Sequence, residues 1–155
     1  MGFSVKKGIY CLIIKLSQER EIPIGKLGTF HFPAGFYVYV GSAQNSLRLR
    51  IERHLRQTKN NRWHIDYLLD YGQIITVYSY AKDKSLECVL GHKIASLPKA
   101  IFPIKGFGSS DCSCITHLYF FPDNPSGALA SFKGKFALLE CRHYNTNGED
   151  ERYSK

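Results

Sequence analysis

Residues 35–56 read GFYVYVGSAQNSLRLRIERHLR, and the spacing of their apolar side chains changes once within the stretch. Over residues 35–41 the side chains alternate as in a strand, which places Tyr37 and Tyr39 on the same face. From about residue 46 to residue 57 the apolar residues recur with the period of a helix. The stretch therefore predicts a strand that leads directly into a helix.

The rest of the chain predicts further short strands and helices around this unit. Residues 8–15 (GIYCLIIK) are almost continuously apolar, which is typical of a strand buried on both faces. Further strands are predicted at residues 29–32, 74–80, 116–121 and 135–141. Further helices are predicted at residues 62–71 and 85–97, the second with a buried face formed by Leu86, Val89, Leu90, Ile94 and Leu97. Because the two types do not alternate regularly, we expect an α+β fold with a small, mainly antiparallel central sheet, flanking helices and extra C-terminal strands.

The domain organisation is expected to be simple, because no repeat or linker divides the 155 residues. We expect a single domain over residues 1–144, with a core at about 8–97, a C-terminal extension at 98–144 and a flexible tail at 145–155. No apolar run is long enough to cross a bilayer, so a membrane partner is not expected. Five scattered cysteines and the lack of a secretion signal favour reduced thiols in a cytoplasmic protein.

The formal net charge is +8 at pH 7, and much of the basic charge is concentrated in one short stretch. Clustered lysines and arginines suit a polyanionic partner, because they replace the counterions of phosphates when they bind. The alternative is a basic surface that is merely solvated. We expect this stretch to bind nucleic acid, with DNA as the expected form, through Arg48, Arg53, Arg56, Lys59 and Arg62.

Five residues with side chains suited to phosphate chemistry follow one another along the chain. GIY ends in Tyr10, YVG begins with Tyr39, Arg50 and His54 lie one turn apart on the next predicted helix, and Glu87 falls near the start of a later helix. This ordered set, with the sequence around it, resembles the GIY-YIG endonuclease superfamily. Each tripeptide alone is a weak signal, whereas the order of all five residues is much more specific.

The resemblance covers roughly residues 8–97 and includes two departures from the usual pattern. The asparagine that is frequent in the family after the helix of the catalytic glutamate has no clear match here, because Asn124 is too distant to assign. The second departure concerns the tyrosine motifs. The two tyrosine motifs lie closer together in the superfamily, whereas here residues 15–35 intervene. We expect this segment to form an added hairpin or loop that leaves the convergence of the site intact.

The resemblance implies an endonuclease that hydrolyses phosphodiester bonds in DNA, with structured or damaged DNA as candidate substrates, and that requires Mg²⁺ or Mn²⁺. Glu87 would be the metal ligand, since Mg²⁺ accepts one carboxylate with several waters. Arg50 would hold a phosphate oxygen. Of Tyr10 and Tyr39, one would act as general base or position a water and the other would orient it, in an order left open. His54 would assist proton transfer or bond a phosphate, with a structural role as the alternative.

A non-catalytic nucleic-acid-binding module with the same fold is the alternative function. The site residues also have ordinary structural alternatives, such as a solvated glutamate at a helix start or a half-buried strand tyrosine. For Trp63 and His64 the favoured interpretation is a packed helix, with contact to substrate as the alternative.

Residues 106–117 (GFGSSDCSCITH) contain a second group of chemically active side chains. Thiolates and imidazole suit Zn²⁺, so Cys112, Cys114 and His117 are candidate zinc ligands. A fourth ligand would have to come from elsewhere in the chain, from Cys88, Cys141 or His92. Because the spacing lacks the usual paired-cysteine pattern, the favoured interpretation is a Gly- and Ser-rich loop followed by buried cysteines.

Overall fold

The structure is a computed structural model that describes residues 7–57, 59–109, 112–132, 136, 140–145 and 150. Within them, strands β1 to β7 span Gly8–Leu16, Arg20–Ile24, Gly28–Phe32, Gly35–Ala43, Gln73–Tyr80, Leu118–Phe121 and Glu140–His143. Helices α1 to α4 span Leu47–Leu55, His64–Leu69, Glu87–Ala95 and Ser126–Ala130. Short 3-10 turns occupy Gly25–Leu27 and Lys84–Leu86.

Five strands form one antiparallel sheet in the order β6–β4–β1–β5–β7. This confirms the predicted α+β fold with an antiparallel sheet and flanking helices. β1 is the central strand, and burial on both faces explains its nearly unbroken apolar sequence. β6 and β7 form the two edges of this sheet, so the C-terminal segment completes the same layer as the N-terminal strands.

The side chains of β4 alternate between two hydrophobic cores, one on each face of the sheet. Tyr37 and Tyr39 belong to the first core together with α1 and α2, whereas Val38 and Val40 belong to the second core with α3 and α4. The alternation predicted for this strand is therefore confirmed. Burial of each leucine or isoleucine side chain contributes about 1.5–3 kcal/mol to the stability of the fold. A shift of the β4 register by one residue would move each of its side chains to the opposite core.

The segment between the two tyrosine motifs forms a hairpin, one of the two forms expected for it. β2 pairs with β3 around the turn Gly25–Leu27, and Ile22 and Phe32 are buried in the first core. The hairpin forms its own two-stranded sheet, so it does not disturb the pairing of β1 with β4. In that pairing Tyr10 lies opposite Gly41.

The third predicted helix differs from the expectation in its start and in its buried face. It begins as the 3-10 turn Lys84–Leu86 and is α-helical only from Glu87. Val89 was predicted to be buried but is 40% exposed, because the helix packs through Leu90 and Ile94 instead. None of the helices in the described part of the chain is both long and apolar enough to cross a membrane.

Two further elements near β6 were not predicted correctly. β6 begins at Leu118 rather than at residue 116, since the Thr116 hydroxyl oxygen accepts a hydrogen bond from Leu118 N at 3.1 Å and turns the chain there. α4 lies between the strands predicted at 116–121 and 135–141, where no helix was predicted, because small residues such as Gly127 give little periodic signal.

The C-terminal strand is shifted from the prediction. β7 covers Glu140–His143, whereas residues 135 and 137–139 of the predicted strand lie outside the described residues. Of the predicted tail, only residues 145 and 150 are described, and Asp150 forms a β-bridge with Tyr144. The remainder of the tail prediction therefore lies outside the described residues.

Candidate active site

An open cleft of about 370 Å³ lies where β4 ends, beside α1 and the start of α3. Three of the predicted catalytic residues, Tyr39, Arg50 and Glu87, line this cleft. Further lining residues with polar side chains are Ser42, Gln44, Arg62, Trp63, His64 and Lys84. Among the described lining residues, three basic side chains thus accompany one carboxylate, a balance that suits an anionic ligand.

Tyr10 and His54 lie behind the cleft rather than on its surface. The Tyr10 hydroxyl is 2.6 Å from His54 Nε2, and the two side chains are 1% and 2% exposed. A Cβ atom at Gly41 would lie 2.5 Å from the Tyr10 hydroxyl oxygen. Glycine at this position therefore allows the phenol to pass over β4 and reach His54. Tyr37, by contrast, donates its hydroxyl to Pro33 O at 2.6 Å.

Burial keeps the phenols and the imidazole of this region uncharged at neutral pH. It raises the pKa of Tyr10 and of Tyr39 above the ordinary value of 10.0, and the positive charge of Arg50 opposes this rise in both cases. Burial also lowers the pKa of His54 to about 3, although the Asp66 carboxylate opposes that change. Both tyrosines therefore act as neutral hydrogen-bonding groups in the isolated protein.

His54 is expected to make the folded state less stable in acid. Its pKa is about 3 in the folded chain against an ordinary value of 6.5, so between these values only the unfolded chain takes up the proton. The free energy of unfolding should fall as the pH decreases through this range, by up to about 1.4 kcal/mol per pH unit. Urea unfolding at a series of pH values measures this slope. His54→Gln should reduce the slope; equal slopes in the wild type and His54→Gln would contradict the assignment.

Trp63 forms a wall of the cleft against two arginines of α1. The guanidinium carbons of Arg50 and Arg53 lie 4.5 and 4.2 Å from the centroid of its ring, within the range of cation–π attraction. Arg50 also donates from Nη1 to Ser42 O at 2.7 Å. The Arg50 guanidinium is therefore held by the end of β4 and by the indole, which fixes its position in the cleft.

Asp66 is the buried acceptor that holds this wall in place. Its carboxylate oxygens accept from Arg53 Nη1 at 2.8 Å and Nη2 at 2.9 Å, and Oδ2 also accepts from the backbone N of Arg62 and Trp63. Burial raises the pKa of Asp66, but these hydrogen bonds outweigh it and hold the pKa below its ordinary value. Asp66 is thus an anion at neutral pH and joins α1 to the start of α2.

The predicted nucleic-acid-binding residues take different positions. Arg62 lines the cleft, whereas Arg53 pairs with the buried Asp66. The other three, Arg48, Arg56 and Lys59, are not among the residues that line it. The basic stretch therefore divides into a part that supports the cleft and a part that lies outside it.

Arg48 illustrates the part of the basic stretch outside the cleft. It is exposed and its Nη1 lies 3.1 Å from Glu52 Oε2, one turn further along α1. Lys59 donates to Arg56 O at 2.7 Å, and burial lowers its pKa. These contacts leave Arg50 and Arg62 as the arginines of this stretch that are best placed for a ligand in the cleft.

Glu87 supplies the carboxylate of the cleft and is the candidate metal ligand. Ser42 Oγ donates to its Oε1 at 3.5 Å, and His117 Nδ1 lies 3.6 Å from its Oε2. Mg²⁺ or Mn²⁺ bound by one carboxylate keeps several waters and therefore needs open space beside the oxygen. The cleft provides that space, so the residues present fit such an ion, with Glu87 as the residue that would hold it.

Trp63 and His64 both line the cleft, whereas the interpretation favoured from the sequence was that they only pack within a helix. His64 Nδ1 accepts a hydrogen bond from Gly108 N at 2.9 Å, and burial lowers the pKa of this imidazole. His64 thereby ties the loop before β6 to the start of α2. Their place at the start of the predicted helix 62–71 was the available signal, whereas nothing in the sequence marked Ser42 or Lys84.

Four of the candidate zinc ligands come together next to the cleft. The ligand atoms of Cys88, Cys112, Cys114 and His117 all lie within 4.8 Å of one another. Of the three residues that the sequence offered as a fourth ligand, Cys88 is the one whose ligand atom is near all of the other three. His92 Nε2 lies 4.0 Å from Cys114 Sγ but does not belong to this group. Cys141 lies instead beside His143, at 3.5 Å from Nε2.

The fold and the cleft define an α+β protein with an open cleft, lined by three basic side chains and one carboxylate, at one end of an antiparallel sheet. The chain belongs to the family described as domain of unknown function DUF123, whose model matches residues 9–137. The matched range contains every residue of the cleft and of the cysteine–histidine cluster. No curated protein and no solved structure matches the chain.

Proposed function

We propose that this protein is a small metal-dependent endonuclease of the GIY-YIG type that hydrolyses phosphodiester bonds in DNA. The observation that carries the proposal is the convergence of Tyr39, Arg50 and Glu87 on one cleft from three separate elements. These are residues that the resemblance to GIY-YIG enzymes marks as catalytic. The free state of all five cysteines agrees with a cytoplasmic location, which forms part of the proposal.

Arg50 is proposed to bind a non-bridging oxygen of the scissile phosphate. A guanidinium has five N–H donors, so its bond to Ser42 O leaves donor capacity for a phosphate. Its contact with Trp63 restricts the side chain before substrate arrives. Such a preorganised positive charge stabilises the charge that develops on the phosphate during hydrolysis.

Tyr39 is proposed to position the attacking water, with Tyr10 in a supporting role. Tyr39 lines the cleft, whereas the Tyr10 hydroxyl is occupied by His54. Because burial raises the pKa of Tyr39, its phenol keeps its proton at neutral pH and acts through hydrogen bonding. His54 holds the Tyr10 ring in place and is therefore a positioning residue in this scheme.

Glu87 is proposed to hold the divalent ion. When bound there, Mg²⁺ or Mn²⁺ supplies positive charge to the phosphate and makes a coordinated water easier to deprotonate. The carboxylate is fixed by Ser42 on one oxygen and faces His117 with the other. Structured or damaged DNA is the proposed substrate class, as the resemblance to GIY-YIG enzymes implies.

The decisive experiment compares cleavage by two variants of the same helix. The wild type is incubated with branched, nicked and linear DNA in Mg²⁺ or Mn²⁺, beside Arg50→Ala and Arg48→Ala. We expect metal-dependent cleavage by the wild type and Arg48→Ala, and a rate at least about 100-fold lower for Arg50→Ala, the cost typical of losing one transition-state donor. Absence of cleavage by the wild type, or an equal loss in both variants, would contradict the proposal.

One observation favours a second function, a nucleic-acid-binding module without catalysis. Glu87 Oε2 faces the buried His117, which is also what a purely structural carboxylate would do. Under this alternative the cleavage assay shows no product with either metal, whereas a binding titration with the same DNA shows affinity that weakens with salt, as phosphate contacts require. Product formation by the wild type excludes it.

A further inference from the structure

Three thiols and one imidazole form a compact group beside the cleft. His117 Nε2 lies 3.7 Å from Cys88 Sγ and 3.5 Å from Cys112 Sγ, and all four ligand atoms are within 4.8 Å of one another. A tetrahedral zinc ion with Zn–S near 2.3 Å and Zn–N near 2.0 Å places its nitrogen and sulfur ligands about 3.5 Å apart. The spacing between the imidazole and these two thiols is therefore close to that of a zinc site.

His117 is fixed so that its two ring nitrogens serve different neighbours. Its backbone N donates to Phe107 O at 2.8 Å, and its carbonyl accepts from Val40 N at 3.0 Å. Nε2 then faces the thiols, while Nδ1 faces Glu87 Oε2 at 3.6 Å. A histidine bound to zinc commonly has a carboxylate at its second nitrogen, which orients the ring and increases its basicity.

We propose that Cys88, Cys112, Cys114 and His117 bind a structural Zn²⁺ ion, and that Glu87 links this ion to the cleft. Four protein ligands make a closed site, which is the form that zinc takes in structural rather than catalytic roles. The ion joins the first turn of α3 to the loop before β6. Because the described residues of that loop, which exclude 110 and 111, belong to no helix or strand, metal binding contributes directly to its folding.

The proposed zinc site lies directly beside Glu87, the residue that is proposed to hold the divalent ion in the cleft. Glu87 directly precedes Cys88 at the start of α3, and its Oε2 faces the second nitrogen of His117. Zinc binding therefore restrains both the backbone and the carboxylate of Glu87, leaving Oε1 beside Ser42 at the cleft. The zinc site itself does not depend on the proposed nuclease function, but this use of Glu87 at the cleft does.

Zinc content and a cobalt spectrum test the ligand set. The full chain is purified with zinc supplied, dialysed and analysed for metal, and a second sample is loaded with Co²⁺. We expect one zinc per chain and the intense near-ultraviolet absorption of cobalt–thiolate bonds. Cys114→Ser should lose the bound zinc, whereas Cys141→Ser, which changes a cysteine outside the cluster, should keep it. A wild type without stoichiometric zinc, or equal zinc content in both variants, would overturn the site.

A second variant keeps the test valid if Cys114→Ser does not fold. Cys112→His exchanges one zinc ligand for another, so it should still bind one zinc per chain and show weaker cobalt–thiolate absorption than the wild type. A folded Cys112→His protein with unchanged thiolate absorption would show that Cys112 is not a ligand and would overturn the proposed set.

The link to Glu87 has its own spectroscopic test. Glu87→Gln should keep one zinc per chain but shift the visible bands of the cobalt protein, because the carboxylate beside the His117 ligand is gone. Glu52→Gln, on the exposed side of α1, should leave the bands unchanged. Identical spectra for the wild type and Glu87→Gln would exclude the link. A zinc-loaded protein that cuts no DNA would refute only the nuclease, and a metal-dependent nuclease without zinc would refute only this site.

Discussion

Glu87→Gln is expected to reduce the rate of DNA cleavage on the order of 1000-fold, equivalent to about 4 kcal/mol of transition-state stabilisation. Glutamine keeps the size of the side chain and the hydrogen bond from Ser42, but it removes the charge that is proposed to hold Mg²⁺. The loss should persist at high Mg²⁺ concentration. Single-turnover cleavage of the DNA form that the wild type cuts best measures the effect.

The matched control for this change is Glu52→Gln, which alters an exposed carboxylate paired with Arg48. It should cut DNA at the rate of the wild type. Zinc content and thermal unfolding of Glu87→Gln distinguish a lost metal ligand from a damaged site. Cleavage by Glu87→Gln within a few-fold of the wild type would remove Glu87 from the catalytic assignment.

The fold was predictable where the sequence carries a local period. The side chains of β4 alternate between two cores, and α1 has an apolar stripe. Both elements, and the face of β4 on which Tyr39 lies, could therefore be predicted from residues 35–57. Ser46, a residue type favoured at helix starts, caps α1 through its hydroxyl oxygen, which accepts a hydrogen bond from Leu49 N at 3.1 Å. Short-range periodicity and capping thus specify these elements without information from the rest of the chain.

The different positions of Tyr10 and Tyr39 could not be predicted, because they depend on the register between paired strands. Tyr10 lies opposite Gly41, and only the absence of a side chain at Gly41 lets the phenol reach His54. Tyr39 is left beside the cleft. Sequence spacing identifies both residues as site candidates but contains no information on which neighbour each will meet.

The cysteine cluster shows the same limitation over a longer distance. Cys112, Cys114 and His117 are close in sequence, whereas Cys88 reaches them through the packing of α3 against the sheet. The sequence offered three residues for the fourth position with no means of choosing among them. The burial of the Asp66 carboxylate could not be predicted either, since an aspartate in a predicted helix is usually exposed.

Asp66→Asn is expected to lower the free energy of unfolding by about 3 kcal/mol, the cost of removing one partner from a buried ion pair. The carboxylate is completely buried and accepts from both terminal nitrogens of Arg53 and from two backbone N–H groups. Asparagine has a single acceptor oxygen and turns an amide donor towards Arg53. Urea unfolding measures the loss, which should correspond to a fall in Tm on the order of 10 °C.

Asp70→Asn is the control, because Asp70 is exposed and its Oδ2 accepts a hydrogen bond from Asn61 Nδ2 at 2.9 Å instead of a buried ion pair. Its free energy of unfolding should lie within about 0.5 kcal/mol of that of the wild type, as is usual for surface changes.

Since Arg53 contacts Trp63 and Trp63 contacts Arg50, the loss of Asp66 should also loosen the cleft wall. Asp66→Asn should therefore cut DNA more slowly even at temperatures where it is fully folded. Unfolding at the same urea concentration as the wild type would show that this buried pair does not hold α1 to α2.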